Sequence, residues 1–374
     1  MRARVWKVLA LLLALTLVAA ACSDDDDGEA TDTTQAEEGQ ETETGAGLLD
    51  EVQRRGTLNC GVNDAVPGFG FTDAGGNFSG FDIEFCRVIA AAVLGDAEAV
   101  EFTPLTADQR FTALQSGEID VLVRNTTWTS SRDGREGAAF AATTFYDGQG
   151  MMVRADAGVD AIEDLDGATI CVLQGTTTEL NLASRFNAAG LAFEPATFSE
   201  VDQLQEAFLA GQCDGWTSDK SQLAGVRSAF PAADGGPETL VVLDETFSKE
   251  PLGPVVRDGD QDWFDAVNWA VIATIQAEEF GINSGNVAEF LESEDPNILR
   301  FLGQPVAASE DEEPAVFDSG LGLPTDFARQ IVEQVGNYGE IYARNVGPDT
   351  ALGLERGPND LWTNDGLLYA PPYR

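Results

Sequence analysis

The chain contains no histidine. Ser-His-Asp and Cys-His catalysis and histidine-ligated zinc are therefore excluded. Lysine is almost as scarce: only Lys7, Lys220 and Lys249 occur, and none follows a glycine. With no GxxxxGK[ST] phosphate loop, the chain is not a P-loop ATPase. Basic residues number 21 against 64 acidic ones, a formal net charge of −43 over 374 residues. Nucleic acids and anionic membranes are met by Lys and Arg, so neither is a partner for this surface. The acidity reads as a solubility or salt adaptation rather than a binding surface. The apolar run at residues 8–18 is too short to span a bilayer. What remains is ordinary for a globular protein. Hydrophobic residues make up 43% and charged residues 23%, and the length suits two lobes with separate cores.

The apolar run has a different use. Arg2, Arg4 and Lys7 precede it, and Ala19-Ala20-Ala21-Cys22 follows. A positive start, an apolar middle and a small-residue cleavage site make a secretory signal peptide over residues 1–21. A cysteine at that junction is similar to a lipobox, with Ala19 where leucine is usual, and predicts a lipid anchor on Cys22. Residues 22–47 then read as a tethered spacer. From Ser23 onward it has ten acidic residues, none basic, and no bulky apolar side chain. Such a segment is expected to stay disordered, extended by self-repulsion. The four other cysteines, Cys60, Cys86, Cys171 and Cys213, are an even number in an exported chain and predict two disulfides. Three connectivities are open. Cys60–Cys86 with Cys171–Cys213 is favoured because each pair falls inside one lobe.

From Gly56 the sequence alternates strands and helices, the pattern of parallel sheets covered on both faces. Strands are expected at residues 57–62, 99–103 and 119–123. Helices are expected at 81–94, with Asp82 capping its start, and after a capping box at Thr106–Gln109. The pattern repeats with strands at 168–173, 193–197 and 212–217. Its helices follow a second capping box at Thr176–Glu179 and span 201–209. Ligands bind beyond the carboxyl ends of strands in open α/β sheets. Those ends carry four informative segments: Asn63 to Phe71, an aromatic loop; Arg124 to Arg132, rich in donors; Gln174-Gly175-Thr176-Thr177 at a helix N-terminus; and Ser218-Asp219. A guanidinium, free backbone N–H groups, an aromatic surface and a carboxylate together suit a zwitterionic amino acid. Arg132 would take the α-carboxylate, with Thr176 and Thr177 completing its hydrogen bonds, and Asp219 the α-ammonium. Each has a plainer alternative: a surface cap for Arg132, a helix N-cap for Asp219, a capping residue for Thr176, and packing for Phe69 and Trp128.

The stretches CGVNDAVPGF, FSGFDIEFCR, LTADQRFTALQSGEIDVLVRNTTWTSSRD, FYDGQGMMVR, QGTTTELNL, SKEPLGPVVR, QVGNYGEIYARNVG and YAPPYR resemble the binding receptors of polar amino acid ABC transporters, most closely the general L-amino-acid-binding proteins. The resemblance runs from about Leu48 to Arg374. It implies an α/β periplasmic-binding-protein clamshell, two βαβαβ lobes joined by two hinge strands near residues 146–153 and 250–256. Lobe 1 would comprise residues 48–148 and 254–374, with helices at 263–279 and 327–344, and lobe 2 residues 149–253. By matching positions the resemblance places the α-carboxylate on Arg132, polar lining on Asn125 and Thr127, the Gly-Thr-Thr turn on Gly175, Thr176 and Thr177, and the ammonium on Asp219. Many members carry an acidic residue where Asn63 stands and a tyrosine near Val66. The first-lobe loop departs there, where Phe69 and Phe71 are the aromatic candidates. Arg124 is the candidate for the ligand's distal carboxylate or amide, with Lys220 as rival. The implied activity is capture of polar or acidic L-amino acids such as Glu, Gln, Asp and Asn by an extracytoplasmic, monomeric receptor. It would deliver them to an ABC permease pair with a cytoplasmic ATPase, using no cofactor or metal. A carboxylate enzyme on the same clamshell and a sensor without transport are the competing classes.

Overall fold

Five strands form each of two sheets in the computed structural model, which describes residues 47–307 and 312–374. The leader, Cys22 and the spacer up to residue 46 lie outside those residues. The first sheet runs Val100–Pro104, Leu58–Val62, Val121–Leu122, Val255–Arg257, Ala138–Phe140. Leu58–Val62 is parallel to both neighbours, with Cys60 opposite Phe102 on one side and Val121 on the other. The second sheet runs Phe193–Phe198, Ala168–Leu173, Gly215–Asp219, Gln149–Arg154, Leu240–Val242. Here Ala168–Leu173 is the strand parallel to both neighbours. The alternation of strand and helix predicts wholly parallel sheets, and the sheets are mixed. Val255–Arg257 and Gln149–Arg154 each enter a sheet antiparallel. These strands arrive from the crossings between lobes and so run opposite to the βαβ strands they join.

Leu58, Cys60 and Val62 are buried on one face of the Leu58–Val62 strand, and on the other Gly61 is buried under Leu105 and Ile119, so both faces are covered. Phe81–Leu94 forms the expected helix and packs against Gln261–Glu279 and Phe327–Gln334. Trp263 is fully buried, and its Nε1 donates to the Asp120 carbonyl at 3.0 Å. The helix expected at 327–344 is two helices, Phe327–Gln334 and Tyr338–Asn345. Gly336 breaks them at φ 103°, where an added Cβ would lie 2.7 Å from the Glu340 carboxylate. Asn337 restarts the helix with a capping box, its side chain accepting from the Glu340 amide and its own amide donating to the Glu340 carboxylate. The box expected at Thr106 does not form. The helix begins at Arg110, and the Thr106 hydroxyl donates to Asp108 instead.

The lobes are joined by a short antiparallel ribbon. Phe145–Asp147 pairs with Glu250–Leu252, with Asp147 opposite Glu250 and Tyr146 opposite Pro251. Asn359 braces the ribbon, accepting from the Tyr146 amide at 2.6 Å and donating to its carbonyl at 3.1 Å. Disulfide Cys60–Cys86 ties strand to helix in the first lobe. Disulfide Cys171–Cys213 ties a strand of the second lobe to the turn that leads into its neighbour. They close loops of 26 and 42 residues. Loop-closure entropy gives each about 3–4 kcal/mol. Replacing Cys171 and Cys213 together by alanine is expected to lower unfolding free energy by about that amount, read as a lower urea midpoint.

Candidate functional site

Between the sheets lies a small cavity, about 290 Å³ of space including its mouth, walled by both lobes. Arg110, Arg124, Asn125 and Thr127 come from the first lobe. Leu173, Thr176, Thr177, Thr178, Ser218, Asp219 and Gln222 come from the second. All but Arg110 lie at or beyond the carboxyl ends of first, third or final strands of the two units, where the topology puts a ligand. The lobes touch around the cavity. The Thr127 and Thr177 hydroxyls are 3.3 Å apart, Asn125 Nδ2 donates to Gln222 Oε1 at 3.3 Å, and Gln174 Nε2 donates to Asp108 at 3.0 Å. Gly175 makes this approach possible. Its φ is 71°, and a Cβ there would meet the Asp108 backbone at 3.1 Å.

The second-lobe wall is built on a helix start. Thr176 caps Thr177–Ala189, its hydroxyl oxygen accepting from the Glu179 amide at 3.1 Å. The Gly175 amide is already engaged by the Glu179 carboxylate at 2.9 Å. Thr177 donates its hydroxyl to Glu250 on the hinge ribbon at 2.8 Å. Asp219 stands at the N-cap position of Lys220–Ser228 but makes no cap hydrogen bond. It is 5% exposed and its Oδ1 has no partner among the described residues. Burial, then the neighbouring Asp147 and Glu250 carboxylates, push it well above the usual carboxylate range, opposed by Asn125 and Arg110.

The first-lobe wall carries the cations. Arg124 faces the cavity with its Nε donating to the Leu105 carbonyl at 2.7 Å. Burial lowers it to about 10, opposed by Asp64 and Asp82. Arg132 lines an adjoining outer pocket that shares Thr176 and Thr177 with the cavity. Its Nη1 donates to the Thr127 carbonyl at 2.6 Å, and its guanidinium lies 5.3 Å from the Phe111 ring centroid. Arg110 is 3% exposed, and its guanidinium lies 5.4 Å from the centroid of the same Phe111 ring. It is absent from the candidates read off the sequence, which follow the first and third strands of the lobe. Arg110 follows the second. A cation beyond that strand, in so acidic a chain, is the signal that could have found it.

Other candidates fall elsewhere. Asn63 is buried behind the wall and donates to Asn125 Oδ1 at 3.1 Å, holding that residue at φ 29°. Phe69 is 1% exposed and belongs to the core, 5.2 Å from Phe145 and 5.8 Å from Phe81. Its apolar ring is better covered there than in a polar cleft, and the packing alternative is the correct one. Phe71 is exposed on a side ribbon, and Trp128 stacks on Phe140. Lys220 points away, donating to the Asp244 carbonyl at 2.7 Å. Asp82 does not cap its helix. It is buried and accepts from the Asn125 amide at 2.6 Å. Among the described residues no group of His, Cys, Asp and Glu has the arrangement of a metal site.

Comparison with known proteins matches residues 58–281 to the family model for bacterial extracellular solute-binding proteins, family 3. The general L-amino acid-binding periplasmic protein of Rhizobium johnstonii is 47% identical over 329 residues, 88% of this chain and 93% of that one. The glutamate/glutamine/aspartate/asparagine-binding protein of Rhodobacter capsulatus is 47% identical over 331 residues, 88% of this chain and 94% of that one. A Brucella ovis ABC transporter periplasmic binding protein solved with glutathione bound is 44% identical with a TM-score of 0.82, covering 88% of this chain and all of that one.

Burial raises Asp82 from 3.8 to about 7, against the Asn125 amide and Arg124. A carboxyl raised in the folded state takes up its proton earlier than the unfolded chain does. Its contribution to stability is therefore complete below about pH 4 and is lost as pH rises to about 7. Asp82→Asn keeps an acceptor for Asn125 and removes the titration. The variant is expected to flatten the melting temperature against pH over that window, by on the order of 3–4 kcal/mol in unfolding free energy.

Proposed function

Because the chain belongs to the bacterial extracellular solute-binding proteins of family 3, we propose that its cleft captures polar and acidic L-amino acids and delivers them to an ABC importer. The family consists of receptors, so the carboxylate-enzyme alternative is set aside. One observation carries the ligand assignment. Buried charge of both signs meets between the lobes: Asp219, whose Oδ1 has no partner among the described residues, on one side, and Arg132, which has no ion-pair partner among them, on the other. A zwitterion satisfies both signs at once. Its ammonium would sit on Asp219. Its α-carboxylate would lie between Arg132, Thr127 and the Gly175-Thr176-Thr177 helix start, where the dipole favours an anion. Arg124 would meet the side chain's distal oxygen. Asn125 and Asn63 shape this wall without being charged. The variety of ligands named for the relatives supports a broad receptor.

The ligand touches both lobes only when they close, so it favours the closed form by its differential affinity. Closure excludes water and strengthens each charge pair. The closed protein, acting as a monomer, would then dock on a permease pair driven by a cytoplasmic ATPase. Cys22 would hold the chain to the outer face of the cell membrane by a lipid, with the acidic spacer as a tether.

Calorimetric titration with the twenty L-amino acids tests the assignment. Several polar amino acids are expected to bind the wild type, and Arg132→Ala and Asp219→Asn are each expected to weaken all of them at least a hundredfold. No binding to any in ligand-free, disulfide-bonded protein contradicts it. For the anchor, Cys22→Ser is expected to move the protein from the membrane fraction to the soluble exported fraction. An unchanged membrane fraction contradicts the lipid tether.

A further inference from the structure

Three guanidiniums crowd one wall of the cleft. Arg110, Arg124 and Arg132 are 3%, 5% and 7% exposed. None of them has a carboxylate oxygen within 4.0 Å among the described residues, in a chain with 64 acidic residues. The ion pairs among those residues are made by other arginines. Of the carboxylates whose charge reaches the three, Asp82 holds the Asn125 amide, Asp108 accepts from Thr106 and Gln174, and Glu250 holds Thr177, Asn181 and Ser248.

The hydrogen bonding of the arginines is incomplete as well. Arg124 spends its Nε on Leu105 and leaves both terminal amines without a protein acceptor among the described residues. Arg110 makes one long contact, Nη2 to the Gly175 carbonyl at 3.4 Å, and its Nε is buried with no partner among those residues. Arg110 and Arg124 both line the inner cavity, whereas Arg132 borders the outer pocket. Burial, then repulsion from Arg132 and Arg124, holds Arg110 well below its ordinary range. An unpaired buried cation is expensive. Two of them line the cavity against one lining carboxylate, Asp219, while Asp64, Asp82 and Asp108 oppose them only from beyond ion-pair distance.

We infer that Arg110 acts with Arg124 as a second anion subsite, which makes the receptor prefer amino acids with an acidic side chain over the corresponding amides. This rests on the amino-acid reading above. In that reading the ligand's first carboxylate and its ammonium use Arg132 and Asp219. Arg110 and Arg124 then remain for a second carboxylate, which can accept from both forks. An amide of the same size offers one acceptor oxygen and turns an NH2 group toward a cation, which leaves donors facing donors.

Competition calorimetry with L-glutamate, L-glutamine, L-aspartate and L-asparagine tests this. Wild-type protein is expected to bind each acid at least tenfold more tightly than its amide. Arg110→Gln is expected to lower the glutamate-to-glutamine affinity ratio at least tenfold, and Arg110→Lys, which keeps the charge, to restore part of it. Glutamine binding as tightly as glutamate to the wild type overturns the inference even if Arg110→Gln fails to fold. An affinity ratio within threefold of wild type in folded Arg110→Gln overturns it too. Failure of all four ligands to bind overturns the amino-acid reading itself, an outcome distinct from loss of the preference alone.

Discussion

Buried charge without an internal partner is the constraint that orders this molecule. A carboxylate or guanidinium removed from water costs several kcal/mol unless something neutralises it. Here Asp219 comes from one sheet and Arg110, Arg124 and Arg132 from the segments around the other. With the lobes together, Asp219, Arg110 and Arg124 line one small cavity and Arg132 the pocket beside it, and polar atoms are still left unmet. Separation of the lobes would return them to water. In the proposed reading a guest that carries both signs stabilises the closed form, and ligand affinity and lobe closure become one free energy.

The hinge is built to transmit that choice. Glu250 is buried and lies opposite Asp147 on the ribbon. Glu250 reaches into the second lobe to Thr177 and Asn181, and Asp147 to the start of the helix at Ser221. The two segments that present Thr177 and Asp219 to the cavity are thus fastened directly to the crossing strands. Burial of its carboxyl, against the hydrogen bonds from Ser221 and Gly148, raises Asp147 to about 6. On the other side, Asn359 grips Tyr146 from the C-terminal region. Phe145 continues into the stack of Tyr342, Phe69 and Phe81 that forms the first-lobe core.

Much of this is legible in the order of residues alone. Strand and helix periodicity locates the helices at Phe81–Leu94 and Val201–Leu209, and cysteine placement locates both disulfides. Looking beyond strand ends finds Arg124, Asn125, Thr127, the Thr176-Thr177 turn and Asp219, all at the cavity. What such patterns miss depends on contacts distant in sequence. Phe69 looks like a cleft aromatic until Phe145 and Phe81 arrive to cover it. Asp82 looks like a cap until Asn125 is brought above it. Arg110 looks like an ordinary first-turn residue until the second lobe closes over it at Gly175. Local patterns report propensity, whereas burial of a charge is decided by whatever the rest of the chain places beside it.

Coupling between ligand charge and lobe closure is tested most directly by small-angle X-ray scattering. Ligand-free protein would be measured before and after saturating L-glutamate. A larger radius of gyration is predicted without ligand, with contraction on addition, and Asp219→Asn is predicted to remain expanded at the same ligand concentration. An unchanged radius of gyration in wild-type protein that calorimetry proves to be saturated would contradict the coupling.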